Sequence, residues 1–127
     1  MDVDAQLRAV LRDFPEIRLA ILFGSRATGA AGPESDVDIG LLADSPLGHD
    51  RKLRLIEAIG LELGVPADVV DLHGAPEPVL GEVLRGRRII GDDATHAKLV
   101  TAHVMNAADF LPLRERILAE RRAAWIG

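Results

Sequence analysis

The run Ile17-Arg18-Leu19-Ala20-Ile21-Leu22-Phe23 is short, apolar and partly β-branched, and Gly24 follows it directly. Such a run reads as a buried strand, which commits the chain to a sheet covered by other elements. Residues 36–42 alternate and read as a second strand, Ala67 to Leu72 as a third closed by His73-Gly74, and Arg88 to Ile90 as a short fourth. Helical spacing puts Leu7, Val10 and Leu11 on an opening helix over Val3 to Asp13, which Pro15 breaks. A second helix spans Arg51 to Leu63, with Leu53, Ile56, Ile59 and Leu63 as its apolar stripe and Gly64 and Pro66 as its stop. Gly60, inside it, would allow close packing on the sheet. A further helix is predicted from Glu77 to Arg85. From Asp93 the pattern predicts two helices interrupted near Asp109, with Pro112 in the first turn of the second. The expected fold is α/β (α+β): a small mixed β-sheet flanked by helices, with a core over residues 1–92 and a helical tail over 93–127, in a single domain.

Composition removes several function classes. At 127 residues there is room for one domain with a real core, and 48% hydrophobic with 28% charged residues is a globular balance. A net charge of −5 is the wrong sign for bulk binding of DNA or RNA backbone. No apolar run reaches the length of a membrane span, and the start, with Asp2 and Asp4, is unlike a signal peptide, so a cytoplasmic protein is expected. Without cysteine, any metal must sit on carboxylates or histidines, which favours hard cations.

The chemistry concentrates between Leu22 and Leu42. Gly24 and Ser25 follow the first strand at once, where a glycine lets backbone N–H groups approach a ligand and the serine hydroxyl adds a donor. Such a corner can hold a phosphate. Ten residues later come Asp36 and Asp38, which strand geometry would set on one face about 7 Å apart. That separation suits carboxylates bracketing two divalent cations that lie about 3.5–4 Å from each other. Two like charges on one face are costly unless a cation neutralises them. Arg26 stands beside the phosphate corner, and Ser35 would shape the turn before the acidic pair.

The arrangement G-S-x10-D-x-D resembles the signature of the polymerase β-type nucleotidyltransferases, and the short chain with trailing helices is similar to their minimal nucleotidyltransferase (MNT) antitoxins encoded beside a HEPN-domain toxin. The resemblance covers Ile17 to Ile90 and extends to the Asp109-Phe110-x-Pro112 segment. It implies Mg²⁺, two ions in all, and ATP as donor, with Gly24 and Ser25 on the outer phosphates and Asp36 and Asp38 coordinating metal; Arg26, beside them, either offsets the phosphate charge or is a plain exposed arginine. It also implies a third carboxylate that completes the metal site and helps deprotonate the acceptor. Asp68 matches the family position; Asp71 is the alternative, and periodicity leaves both open because both strand faces carry apolar residues. The implied reaction is attack by a tyrosine hydroxyl of the HEPN toxin on the α-phosphate, with pyrophosphate leaving. These 127 residues contain no tyrosine, so such an acceptor must come from another molecule. Two other functions compete: an antitoxin that neutralises its toxin by binding alone, and a small-molecule nucleotidyltransferase.

The remaining candidates have plainer readings. His49, His73, His96 and His103 form no metal-binding spacing and read as surface residues, with His73 near the site. Leu111, Leu118 and Trp125, with Leu113 and Ile117, form a stripe that packs on the chain's own core or, with Arg114, Arg121 and Arg122, docks a partner.

Overall fold

A computed structural model describes residues 2–28 and 35–106. The segments 29–34 and 107–127 lie outside the described residues, and with them the glycine-rich turn after Thr28 and the expected last helix with its apolar and arginine stripe.

The elements run α1 (Val3–Leu11), β1 (Ile17–Phe23), α2 (Ser25–Thr28), β2 (Val37–Ala43), α3 (His49–Leu63), β3 (Ala67–Asp71), α4 (Val79–Leu84) and β4 (Arg87–Ile90). Residues 93–106 are helical. The four strands form one sheet in the order β3-β2-β1-β4. Strand β1 pairs antiparallel with β2 and β4, while β2 and β3, joined through α3, are parallel. This is the expected mixed sheet with flanking helices.

The sheet is covered on both sides, which explains why β1 is apolar without interruption from Leu19 to Phe23. Ala20 and Leu22 point into a core shared with Leu7, Val10 and Leu11 of α1 and Leu55 and Ile59 of α3. Leu19 and Ile21 point the other way, into a second core with Leu72, Ala75, and Leu80 and Val83 of α4. The period of two fixes the faces of the neighbouring strands as well. On β2, Val37, Ile39 and Leu41 belong to the first core, so Asp38 and Gly40 face the α4 side. A Cβ on Gly40 would lie 2.6 Å from Val83 Cγ1, so glycine there lets α4 settle onto the sheet.

Some details differ from expectation. Strand β2 starts at Val37, because pairing with β3 begins at Val37↔Ala67 and Val37 N donates to Pro66 O at 3.0 Å. Asp36 therefore precedes the ladder. The stripe of α3 is rotated: Leu55 is fully buried, whereas Leu53 is 49% exposed. Gly60 faces the following turn, with Val65 O 3.4 Å from its would-be Cβ, and not the sheet. Helix α4 is shorter than 77–85, with Pro78 at its N-cap.

Candidate active site

The end of β1 and the start of β2 meet at one corner of the sheet. Phe23 is level with Asp38 across the antiparallel pair, and Asp38 is level with Asp68 across the parallel one. Neighbouring strands are about 4.8 Å apart, so the two carboxylates stand side by side on the α4 face. Gly24 closes the corner with φ +73°, the left-handed region that favours glycine. A side chain at that position would strike the acid: its Cβ would sit 2.5 Å from Asp38 Oδ2.

These residues line an open cleft of about 570 Å³. Its floor is Phe23, Ala27, Asp38, Asp68 and Val70; its far wall is Val79, Glu82, Arg85 and Gly86 from α4 and the turn after it. Of the expected phosphate-corner residues, Gly24 lines this cleft and Ser25 opens α2 beside it. The side chain of Arg26 is outside the described set. The far wall escaped sequence reasoning, since nothing in the local pattern of Glu82 and Arg85 says which side chains face the sheet corner.

The acids repel one another. The Asp38 carboxyl is pushed above the ordinary carboxylate range, first by burial and then by the charges of Asp68 and Asp36. Asp36 is exposed and lies one residue outside the strand, so its distance from Asp38 is not set by strand geometry. Among the described residues, neither Asp38 nor Asp68 takes part in an ion pair, and no three potential ligands are gathered into a ready metal cage. The donor set is all carboxylate oxygen, with no cation paired to it among the described residues, which fits a hard divalent cation.

The other candidate acid has separate work. Asp71 ends β3 and shares the parity of Val69, on the side of the first core. Its Oδ2 accepts from Leu47 N at 2.9 Å and its Oδ1 from His73 N at 3.0 Å, so it ties two turns together. His73 is at the opposite end of β3 from Asp68, with Nε2 2.7 Å from Ala43 O, and it does not line the cleft. His103 is not a simple surface residue either: its Nδ1 lies 2.6 Å from Oε1 of the nearly buried Glu77.

Residues 5–95 match the family Polymerase beta, Nucleotidyltransferase. The chain belongs to this nucleotidyltransferase family. It is 32% identical over 84 residues to the protein adenylyltransferase MntA of Shewanella oneidensis, a match that spans 65% of this chain and 60% of that protein. Its fold is similar to that of a chain in the crystal structure of a toxin–antitoxin with AMP-PNP, with a TM-score of 0.83 and 24% identity over 94% of this chain and 98% of the other. It is also similar, at a TM-score of 0.70 and 22% identity, to a chain in the structure of a tri-AMPylated Shewanella oneidensis HEPN toxin in complex with MNT antitoxin, covering 91% of this chain and 96% of the other. At these identities the two structures show the nucleotidyltransferase fold.

Proposed function

We propose that the chain is a minimal nucleotidyltransferase antitoxin that transfers AMP from ATP to a tyrosine hydroxyl of a HEPN toxin. The observation that carries this reading is the level pairing of Asp38 with Asp68 beside the Gly24 corner, inside one open cleft. The 32% identity to a protein adenylyltransferase supports a protein acceptor. The absence of tyrosine from these 127 residues agrees with an acceptor on another molecule.

In this reading Gly24 N–H and the Ser25 hydroxyl hold the outer phosphates, with Arg26 offsetting their charge. Asp36, Asp38 and Asp68 would hold Mg²⁺, which supplies Lewis-acid stabilisation of charge on the transferring phosphoryl group. Asp68, exposed at the edge strand, would take the proton of the incoming hydroxyl. The hydroxyl oxygen bonds to the α-phosphorus, the bond to the bridging oxygen of the β-phosphate breaks, and pyrophosphate leaves. The catalytic core in this reading is residues 1–92, followed in the same domain by a tail over 93–127, acting in the cytoplasm. Among the described residues no helix is long and apolar enough to cross a membrane.

The test is incubation of the full chain with α-labelled ATP, Mg²⁺ and a purified HEPN toxin from the neighbouring gene, against the double variant Asp36→Ala/Asp38→Ala. Label on the toxin that disappears with the variant is the expected result. A toxin that is bound and silenced without label would replace this reading with neutralisation by binding.

A further inference from the structure

The cleft holds two carboxylates, Asp38 and Asp68, on the sheet, and Arg85 beside Glu82 on the wall opposite. Across the sheet edge the order is Asp68 on β3, Asp38 on β2, Gly24 after β1, and Arg85 just before β4. Arg85 is held there by the backbone. A side chain on Gly86 would collide with the Leu22 carbonyl oxygen and come 2.8 Å from Phe23 Cβ, so the turn after α4 runs in contact with the end of β1. Strand β4 begins at Arg87, which pairs with Leu22, so the turn that carries Arg85 out of α4 enters the sheet beside the end of β1.

Charge singles this residue out. The other ionisable groups lining the cleft are Asp38, Asp68 and Glu82, so among the described residues Arg85 is its one cationic group. The two arginines that follow it are otherwise engaged: Arg87 pairs with Asp4 at 2.7 Å and Arg88 with Asp93 at 2.7 Å. Arg85 makes no ion pair among the described residues, and its side chain is exposed to the cleft mouth.

We propose that Arg85 is a substrate-contacting residue that binds the outer phosphates of the nucleoside triphosphate. This rests on the nucleotidyl-transfer reading above. A triphosphate with its α-phosphate at Asp38 and Asp68 and its chain passing over Gly24 delivers the β- and γ-phosphates to the guanidinium. Arginine suits that position because its planar donors grip phosphate oxygens in pairs, and because a guanidinium stays charged beside the carboxylates. The same contact neutralises charge building on the departing pyrophosphate.

The experiment is calorimetric titration of the full chain with ATP and with AMP, both in Mg²⁺, for the wild type, Arg85→Ala and Arg85→Lys. Arg85→Ala is expected to weaken ATP by about 10- to 100-fold, the size of a lost charge-assisted contact, while AMP changes by less than about threefold. Arg85→Lys should recover part of the ATP affinity by returning the charge without the paired donors. An unfolding midpoint equal to the wild type's shows that the exposed substitution leaves the fold intact. ATP binding unaffected by Arg85→Ala, or ATP and AMP weakened alike, overturns the assignment and leaves nucleotidyl transfer standing. A wild-type chain that binds no ATP overturns nucleotidyl transfer, and the Arg85 assignment with it.

Discussion

Gly24 and Asp38 are in steric contact: the position a Gly24 Cβ would take is 2.5 Å from Asp38 Oδ2. The left-handed backbone at Gly24 and the placement of the acid are thus one feature. Gly24→Ala is expected to cost about 1–2 kcal/mol in stability from its backbone conformation alone. It should also displace the Asp38 carboxylate and lower AMP transfer by about 100-fold, as misplacement of a reacting group does. Gly64→Ala is the control. Gly64 has φ +72° and nothing within 4 Å of its would-be Cβ, so it should lose stability similarly and keep its transfer rate. Urea denaturation with a labelled-ATP transfer assay on both variants checks this.

Asp68 and Asp71 differ in their surroundings. Asp68 is exposed beside Asp38 and lines the cleft, whereas Asp71 accepts from Leu47 N and His73 N. Asp68→Asn is expected to lower transfer by about 100-fold or more while leaving stability near the wild type's. Asp71→Ala strands two backbone donors and should cost about 1–3 kcal/mol, with transfer per folded molecule unchanged. Mg²⁺ should raise the thermal midpoint of the wild type and of Asp71→Ala, and not that of Asp68→Asn. The reverse pattern would make Asp71 the third carboxylate.

How far the sequence could be read depended on whether a signal was local. The strand Ile17–Phe23 and the Gly24-Ser25 corner are written in consecutive residues, and the structure has them at the expected positions. The choice between Asp68 and Asp71 was open because β3 has apolar side chains on both faces; the pairing of Asp38 with Asp68 across two strands is what separates them. On α3, Leu53 and Leu55 both fit a helical stripe with Ile56, Ile59 and Leu63, and only contact with α1 and the sheet selects Leu55. Arg85 carries no local mark at all. Its place in the cleft follows from Gly86 passing against the end of β1, a contact between segments more than sixty residues apart in the chain.

Asp92 caps the helix of residues 93–106, its Oδ1 accepting from Thr95 N at 2.7 Å. Hydrogen bonds from the Thr95 backbone and hydroxyl, with smaller help from Arg88 and Arg18, hold its pKa below the ordinary carboxylate value. A carboxyl lowered in the folded state contributes stability above its unfolded pKa and loses it as the pH falls through the folded one. Asp92→Asn keeps a capping oxygen but no charge. The wild type should therefore have the higher thermal midpoint at neutral pH, and the two should converge as the pH is taken down to about 2. A difference that stays constant across that range would show the charge of Asp92 to be immaterial.

Glu77 joins two helices through one carboxylate. It is only 8% exposed, its Oε1 lies 2.6 Å from His103 Nδ1, and its Oε2 accepts from Gly81 N in α4 at 3.3 Å. Removing the imidazole leaves a nearly buried acid with half its partners, so His103→Ala should cost about 1–3 kcal/mol. His96→Ala, seven residues earlier on the same helix, should stay within about 0.5 kcal/mol of the wild type. A double-mutant cycle of His103→Ala with Glu77→Gln isolates the pair, and a coupling of about 0.5–3 kcal/mol is expected from denaturation midpoints. Because α4 also forms the far wall of the cleft, His103→Ala should loosen that wall and weaken ATP binding, whereas His96→Ala should leave it unchanged. Loss of stability with no coupling in the cycle would mean that His103 acts by packing against Gly81, 2.9 Å from its would-be Cβ, and not through the acid.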